Sequence, residues 1–232
     1  MNIFYTSLKY YFLLLLLFAF SANIFGQDTY THTITTKTYD ATPQTKTLSS
    51  VDWTLVNNGS YYGYDATKGQ QVGSGGNPAT SMTLSTSHFT CPIQTIKIET
   101  SGASSVAATI SVKVGGGSFG GVAQNITSTN TEYTFSGNSN GAIEISWTQT
   151  SSKALYFKKI TVVYNSTKTV TFAANGGVGT MSNQSACSIT NLTTNTFTRT
   201  GYTFSGWNTA ADGSGTAYSN GANYNFLSDI TL

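Results

Sequence analysis

The side chains that could carry out acid–base chemistry are few and lie far apart in the sequence. Folding could bring Asp52 and Glu144 together as the two carboxylates of a glycoside hydrolase, but the alternating pattern around Glu99 and Glu144 favours solvent-facing positions for both side chains. His32 and His88 are the only histidines, so there is little choice of general base. The sequence therefore predicts no catalytic residues and a protein that is not an enzyme.

Two segments resemble nucleotide-binding motifs in part. Gly115, Gly117 and Gly120 have dinucleotide-loop spacing, but no helical pattern follows that would direct a helix N-terminus at a pyrophosphate. We interpret this segment as a hairpin turn. Lys68 lacks the glycine and the following Ser or Thr of a P-loop. No Cys, His, Asp or Glu residues have metal-ligand or calcium-loop spacing, so the sequence predicts neither a cofactor nor a metal.

One aromatic-rich segment is the best candidate for contact with a ligand. Trp53 precedes Tyr61, Tyr62 and Tyr64, and asparagines and glycines lie before and between these tyrosines. Aromatic faces beside amides and hydroxyls suit sugar rings, so we predict Trp53, Tyr61 and Tyr64 as ligand-binding residues. The alternative is that Tyr62 and Tyr64 point into a core while Tyr61 lies on an edge strand. In an extended strand at most one of Tyr61 and Tyr62 shares a face with Tyr64.

The composition indicates an exported, strand-rich protein. Charged residues make up 9% of the 232 residues, against about 25% in ordinary soluble proteins. The net charge of +2 comes from 11 basic and 9 acidic residues spread along the chain, which excludes the basic surface of a nucleic-acid-binding protein. Aromatic residues reach 13%, and β-branched residues are abundant, so strands are favoured over helices.

Short alternating runs separated by Gly, Asn and Ser turns predict an antiparallel β-sandwich, jelly-roll-like, over residues 27–165. The pattern breaks at residues 165–167 and restarts at Lys168, so residues 166–232 are predicted to form a second, smaller all-β unit. The predicted strands of the first unit are Val51–Val56, Ser81–Leu84, Ile93–Glu99, Thr109–Val114, Glu132–Phe135, Ala142–Trp147 and Leu155–Tyr164.

The N-terminal 26 residues have the pattern of a secretory signal peptide. Lys9 is their only charged residue, and an unbroken apolar run covers residues 12–20. That run is about half of the roughly 20 residues that a membrane span needs. We predict cleavage after Gly26, with Ala22 as the alternative and an uncleaved anchor as the other interpretation. The mature chain is then expected outside the cell or on its surface, with no transmembrane segment.

Cys91 and Cys187 are the only cysteines and lie almost a hundred residues apart. Exported domains stapled by disulfides are dense in cysteine, and these two residues fall in different predicted units. The sequence therefore favours two small buried side chains over a disulfide.

The second unit contains Val170–Met181, a Gly-Tyr-x-Phe-x-Gly-Trp-Asn element at residues 201–208, and Ala211–Thr216. These segments resemble the Listeria–Bacteroides repeat, the B-repeat of internalin-type surface proteins, from about Lys168 to Leu232. The resemblance implies a small β-grasp-like fold and a role in surface adhesion. From the residues alone, alternation predicts that Tyr202, Phe204 and Trp207 supply much of the core of this unit. The family pattern continues past Leu232, so further domains of the same polypeptide are expected there.

The first unit is similar, in Asn57–Gln71 and Ser151–Ile160, to a β-sandwich module common in secreted Bacteroidetes proteins. That resemblance implies an accessory binding role. Two functions stay open at this point. One is a non-catalytic secreted or cell-surface module for adhesion, binding or spacing, whose partners would be surface glycans or proteins of a host or neighbouring cell. The other is a carbohydrate-binding accessory region of a longer secreted hydrolase.

Overall fold

The computed structural model describes residues 26–232, so the predicted signal peptide lies outside the described residues apart from Gly26. Twelve strands precede residue 166: β1 (Gln27–Thr33), β2 (Gln44–Leu48), β3 (Val51–Asn57), β4 (Tyr62–Asp65), β5 (Gly69–Val72), β6 (Ser81–Thr86), β7 (Ile93–Gly102), β8 (Ala108–Val114), β9 (Gly117–Ile126), β10 (Thr131–Ser139), β11 (Ile143–Gln149) and β12 (Leu155–Asn165). Seven shorter strands follow: β13 (Lys168–Thr171), β14 (Gln184–Ala186), β15 (Thr190–Asn191), β16 (Trp207–Asn208), β17 (Ala217–Tyr218), β18 (Asn223–Tyr224) and β19 (Ile230–Thr231).

The first twelve strands form two six-stranded antiparallel sheets. One has the order β10-β7-β12-β5-β4, with β1 also paired to β12, and the other has the order β2-β3-β6-β11-β8-β9. Strand β12 pairs with β5 through residues 155–157 and with β1 through residues 159–165. The predicted all-β class and antiparallel sandwich are confirmed.

The core of the sandwich lies between the two sheets and follows from alternation along the strands. On β11, Ile143, Ile145 and Trp147 are buried, while the residues between them face outward. The Trp147 ring lies 5.9 Å from the Phe157 ring of the opposite sheet, and its Nε1 donates a hydrogen bond of 3.0 Å to Thr100 Oγ1, also in that sheet. Trp147 therefore joins the two layers by both packing and a hydrogen bond.

The glycine-rich segment is a hairpin, as predicted, but a shorter turn than its sequence suggests. Gly115 and Gly116 form the turn between β8 and β9 and have φ of 59° and 82°, a conformation that glycine adopts without steric cost. β9 already begins at Gly117, and Phe119 is buried in the core. Segment Gly115–Gly120 is therefore part of the sheet framework.

A buried hydrogen-bonded group of aromatic residues lies at one end of the sandwich. Tyr30 Oη donates to the carbonyl of Leu48 at 2.8 Å and accepts from Trp53 Nε1 at 3.0 Å. Tyr39 Oη donates to the carbonyl of Trp53 at 3.0 Å. Burial raises the pKa of Tyr30 to about 12, opposed in part by the hydrogen bond from Trp53, and burial also raises the pKa of Tyr39.

These raised pKa values predict a loss of stability at alkaline pH. At pH values above the ordinary tyrosine pKa of 10.0, the folded protein keeps the phenol protons of Tyr30 and Tyr39, whereas the unfolded chain releases them. Stability is therefore fully present below pH 10 and falls as pH rises towards the folded-state values, by up to about 1.4 kcal/mol per pH unit for each tyrosine. Urea unfolding at a series of pH values measures this slope.

Two variants test the assignment to the buried hydroxyl. Tyr30→Phe should lower stability at pH 8, since it removes two buried hydrogen bonds, and should flatten the decline above pH 10. Val122→Ala, which changes an 85% exposed side chain without an ionisable group, should leave the alkaline slope unchanged. An equal slope in wild type and Tyr30→Phe would contradict the assignment.

Residues 168–232 have a separate, small core. In this unit β13 pairs antiparallel with β14 and parallel with β19, and two further pairs, β15–β18 and β16–β17, are two residues long. No described residue of the unit lies in a helix. Its buried apolar residues are Val170, Phe172, Leu192, Trp207, Tyr224, Phe226 and Leu232.

The predicted contribution of the Gly-Tyr-x-Phe-x-Gly-Trp element to that core is correct for Trp207 and wrong for the other two rings. Trp207 is buried, but Tyr202 is 67% exposed and Phe204 is 42% exposed. Residues 202–206 are not a strand. Gly201 and Gly206 have φ of 79° and 150°, so the backbone does not keep the extended conformation that alternation requires.

The prediction for the cysteines is also wrong, because Cys91 and Cys187 form a disulfide that links the two units. The Asn165 side-chain amide donates a hydrogen bond of 3.0 Å to the Cys187 carbonyl. Ser166 N donates to the Gly26 carbonyl at 2.7 Å. Asn165 and Ser166 are buried, whereas Thr167 is exposed, so only the end of the segment where the pattern breaks is accessible.

The described residues contain no helix that is long and apolar enough to cross a membrane. The proposed division of the chain at residues 165–167 stays a prediction, although the apolar residues do form two separate clusters on either side of it.

Candidate ligand-binding surfaces

Each member of the carboxylate pair that the sequence suggested has a partner within the sandwich. Asp52 and Glu144 lie on β3 and β11, two strands apart and two residues out of register, which is roughly 12 Å between their Cα atoms at ideal sheet spacing. Asp52 accepts a hydrogen bond of 2.5 Å from Thr47 Oγ1. Glu144 lies 3.7 Å from the Lys113 ammonium. Glu144 faces solvent, as the alternation predicted, and Asp52 is exposed as well.

The isolated histidine and acidic residues also form no metal site among residues 26–232, where no cluster of three potential ligands occurs. His32 Nδ1 lies 2.9 Å from Ser49 Oγ, and burial lowers the pKa of His32. Glu99 lies 3.6 Å from the Lys159 ammonium. These contacts give His32 and Glu99 partners within the sandwich itself.

Trp53, predicted as a ligand-binding residue, lies inside the sandwich. It has no exposed surface, its ring stacks on Tyr30 at 6.1 Å, and its indole N–H is bonded to the Tyr30 hydroxyl. A ligand at the surface cannot reach it. The alternation in the predicted strand Val51–Val56 already places Trp53 on one face with Val51 and Leu55, and that face is the buried one.

Tyr61 and Tyr64 are both partly exposed, at 42% and 37%, but they lie on opposite faces of the β4–β5 hairpin. Tyr64 is paired with Gln70, and Gln70 with Phe157, so Tyr64 lies on the face that turns towards the core. Tyr62 is on the same face, packs against the core and accepts a hydrogen bond from Asn57 Nδ2. The alternative that Tyr62 points towards the core is therefore correct. Tyr61 and Tyr64 cannot contact the same ligand face.

The outer face of the hairpin carries a different group, which we call the outer tyrosine surface: Tyr61, Gln71 and Tyr156 with Lys68. Gln71 is paired with Tyr156 across the sheet. The Lys68 ammonium lies 5.1 Å from the centre of the Tyr156 ring and donates to the carbonyls of Gly102 and Ser128. Burial, with smaller contributions from Asp65 and Tyr61, raises the pKa of Tyr156, which agrees with a close approach of these side chains.

A fully buried glutamine fixes the hairpin that presents this surface. The side-chain oxygen of Gln70 accepts hydrogen bonds from the backbone N–H groups of Thr38 and Tyr39 at 2.8 and 2.9 Å. Its amide nitrogen donates to the carbonyls of Tyr39, Gly63 and Gln71. Because both ends of the amide are satisfied, the short strands β4 and β5 are held against the preceding loop.

The small unit contains an open cleft of about 1120 Å³, which we call the repeat cleft. Its aromatic lining consists of Phe197, Tyr202, Phe204, Trp207 and Tyr218, and its charged lining of Arg199 and Asp212. The Phe204 ring meets the Trp207 ring edge to face at 4.8 Å. The Trp207 Nε1 is buried and has no hydrogen-bond partner within the described residues.

A tight turn positions the charged side chain of the repeat cleft. The N–H of Tyr202 donates to the carbonyl of Arg199 at 3.0 Å, and Gly201 supplies the positive φ that the third position of such a turn requires. The turn places the Arg199 guanidinium 4.2 Å from the centre of the Tyr202 ring. Sequence reasoning missed this arrangement, although Arg-Thr-Gly-Tyr is a recognisable turn sequence.

The loops on the other side of the repeat cleft are fixed by their own hydrogen bonds. Asn208 Oδ1 accepts from the backbone N–H groups of Ala210 and Gly215. Asp212 Oδ1 accepts from Ser214 Oγ at 2.7 Å and from Ser214 N at 3.0 Å, and these bonds lower the pKa of Asp212. Asp212 is therefore engaged within its own turn.

Taken together, the fold and the surfaces define an antiparallel β-sandwich joined by a disulfide to a small β-rich unit, with aromatic groups exposed on both. Residues 169–232 match the family model described as the Listeria-Bacteroides repeat domain. The resemblance of the second unit to that repeat is thus confirmed. No curated protein matches the chain in sequence.

The chain is similar to solved structures over part of its length. One is the CBM36-1 domain of a multidomain xylanase from the hindgut metagenome of Trinervitermes trinervoides, with 12% identity and a TM-score of 0.35 over 58% of this chain and 96% of that chain. Another is a family two carbohydrate esterase from Cellvibrio japonicus, with 10% identity and a TM-score of 0.33 over 63% of this chain and 39% of that chain. At these TM-scores neither likeness indicates a ligand or a reaction for this chain.

Proposed function

We propose that this protein is an exported, non-catalytic binding or spacer module in which a disulfide fixes the repeat to the sandwich. The Cys91–Cys187 bond is the observation that carries the proposal. Structural disulfides persist in oxidising compartments and are rare where thiols are kept reduced. The signal-peptide pattern of residues 1–26 supports the same location, outside the cell or on its surface.

The covalent link also suits a module that holds its neighbours at a fixed position. Among the described residues, the contacts across the junction include the bond from Asn165 to the Cys187 carbonyl and a 3.5 Å contact between Cys91 Sγ and Thr167 Oγ1. Units joined by a single stretch of chain usually move relative to one another. The disulfide adds a second covalent connection and restricts that movement.

Export and the lack of turnover are tested on the full chain expressed in a bacterial host. We expect the protein in the exported fraction with Gln27 as its first residue, and no release of reducing ends from a polysaccharide panel. Retention in the cytosol with an intact N-terminus would contradict export. Turnover that is lost in Asp52→Asn or Glu144→Gln would contradict the non-catalytic role.

A second function, binding of neutral saccharides, is supported by the outer tyrosine surface. Tyr61 and Tyr156 lie on one face: a Cβ atom on Gly63 would meet both the Gln71 side chain and the Tyr61 ring, and Gln71 is paired with Tyr156. Sugar rings pack their C–H groups on aromatic faces while amides bond to their hydroxyls. This arrangement also suits the alternative, an accessory region of a longer secreted hydrolase.

The outer tyrosine surface predicts unequal effects for the two exposed tyrosines. Tyr61→Ala should weaken binding of neutral oligosaccharides by about tenfold or more, because loss of one stacking ring costs on the order of 1–3 kcal/mol. Tyr64→Ala is the matched control: its ring is similarly exposed but lies on the other face, where the Lys158 ammonium is 5.8 Å from its centre. Isothermal titration with a panel of neutral oligosaccharides measures both variants.

The melting temperature distinguishes a binding role from a structural one. Both variants should keep a melting temperature close to that of wild type, since neither ring is buried. Loss of several degrees in Tyr61→Ala would identify its ring as structural. Equal weakening by Tyr61→Ala and Tyr64→Ala would contradict the assignment of the saccharide to the outer face.

A further inference from the structure

The repeat cleft contains an arginine that the proposed function does not use. Arg199 is the only arginine in the sequence. Among the described residues it takes part in no salt bridge, and its contact with a neighbouring side chain is with the face of the Tyr202 ring. We propose that the repeat cleft binds an acidic saccharide, with Arg199 pairing with the carboxylate or sulfate group and Phe204 packing against the sugar ring.

Within residues 26–232 the Arg199 guanidinium forms no ion pair, so its N–H groups are available to a ligand. The guanidinium lies with its central carbon 4.2 Å from the Tyr202 ring centre, so the ring holds it in place by a cation–π interaction. A Cβ atom on Gly176 would come within 3.2 Å of one of the terminal nitrogens of Arg199, so the glycine leaves room for it. The planar N–H fork is the group that pairs with a carboxylate or sulfate through two parallel hydrogen bonds.

Phe204 is suited to contact the ring of the sugar. Its side chain is 42% exposed, yet it is held by the edge-to-face contact with buried Trp207 at 4.8 Å. A ring that is already fixed loses little conformational freedom when a ligand packs on it. Roles in the cleft are therefore divided: Tyr202 positions Arg199, Arg199 holds the anionic group, and Phe204 supplies the apolar face.

The charges around the cleft favour an acidic ligand over a basic one. Asp212 is the acidic side chain of the lining, and its carboxylate is engaged by the two hydrogen bonds from Ser214. Arg199 has no such partner among residues 26–232. Asp212→Asn should therefore leave binding of an acidic saccharide unchanged or strengthen it slightly, because it removes only a repulsive charge.

This inference rests on the proposed function, since it takes the module to bind a saccharide without cleaving it. The test is isothermal titration of the exported, oxidised protein with oligogalacturonides and with the same oligosaccharides methyl-esterified at the carboxylates. We expect the acidic form to bind at least about tenfold more tightly than its ester. Arg199→Gln should remove this preference, and Phe204→Ala should weaken binding of both forms. A second titration compares dextran sulfate with dextran and tests whether a sulfate group is preferred in the same way.

The control variant is Lys37→Gln, which removes one positive charge from an exposed position on the sandwich and should change the affinity less than twofold. Arg199→Lys, which keeps the charge but loses the planar fork, should retain only part of the preference. Raising the salt concentration should weaken binding to wild type more than to Arg199→Gln. Equal affinity for acid and ester, or equal effects of Arg199→Gln and Lys37→Gln, would overturn the inference.

The outcomes separate this inference from the proposed function. Binding of neutral saccharides that depends on Tyr61, with no acid preference at Arg199, would refute the inference and leave the proposed function standing. Shortening of the oligogalacturonides during the titration, measured by mass spectrometry, would refute the proposed function itself. Acid preference without shortening would support both.

Discussion

Replacing Trp147 by alanine should lower the free energy of unfolding of the sandwich by about 3–5 kcal/mol, the usual cost of truncating a buried tryptophan. Trp147 has no exposed surface and lies against Phe157 of the opposite sheet. On its own sheet it is flanked by Met82 and Ile110. Because these strands are held by their ladders, the space left by the indole cannot be filled by collapse of the neighbours.

The hydrogen bond to Thr100 adds to this cost. Without the indole N–H, Thr100 Oγ1 loses a buried donor, although Thr100 still donates its own proton to the Tyr156 carbonyl. Trp147→Phe separates the two contributions, since it keeps an aromatic ring and removes the donor. We expect it to cost less than Trp147→Ala by at least about 1 kcal/mol.

Chemical denaturation measures these losses. It is followed by far-UV circular dichroism, whose signal comes mainly from the backbone and not from Trp147. Val122→Ala is the control, because Val122 is 85% exposed on β9, and should change stability by less than about 0.5 kcal/mol. A loss below about 1 kcal/mol in Trp147→Ala would contradict the central position of this side chain in the core.

Removing the disulfide should have the next largest effect. The two cysteines are 96 residues apart, and a cross-link that closes a loop of about 100 residues stabilises by up to about 4.7 kcal/mol in the chain-entropy model, with typical losses of 2–4 kcal/mol. The double variant Cys91→Ser/Cys187→Ser should lose a comparable amount. The loss should fall mainly on the repeat, whose core has seven buried apolar residues, too few to stabilise it strongly alone.

Differential scanning calorimetry with and without reductant provides the readout and its control. Oxidised wild type should unfold at a higher temperature than the reduced protein. The double variant should match the reduced protein and be insensitive to reductant, with the repeat unfolding before the sandwich. A double variant as stable as oxidised wild type would show that the cross-link contributes nothing to the junction.

Alternation was sufficient to predict most of the sandwich. Ile143, Ile145 and Trp147 alternate with polar residues in the sequence, and all three are buried. The same rule fails at Tyr202 and Phe204, because the glycines at 201 and 206 have positive φ and turn the chain out of the extended conformation. Alternation predicts a face only where the backbone is a strand.

The candidate sites were harder to predict, because they depend on neighbours from distant parts of the chain. Alternation on β3 places Trp53 inward, but the Tyr30 ring that stacks on it comes from β1, and nothing local in the sequence shows that contact. Local alternation also separates Tyr61 from Tyr64, but the Tyr156 ring on the outer face comes from β12. The pairing of Cys91 with Cys187 depends on how the repeat lies against the sandwich, so the spacing between them carried no signal of it.

The most direct test of the account is peptide mapping of the exported protein by mass spectrometry without reduction. We predict one disulfide-linked pair of peptides, containing Cys91 and Cys187, which reduction converts into two separate peptides. Alkylation before digestion should modify neither cysteine. Finding both thiols free and alkylated in the exported protein would contradict a disulfide-held module outside the cytosol.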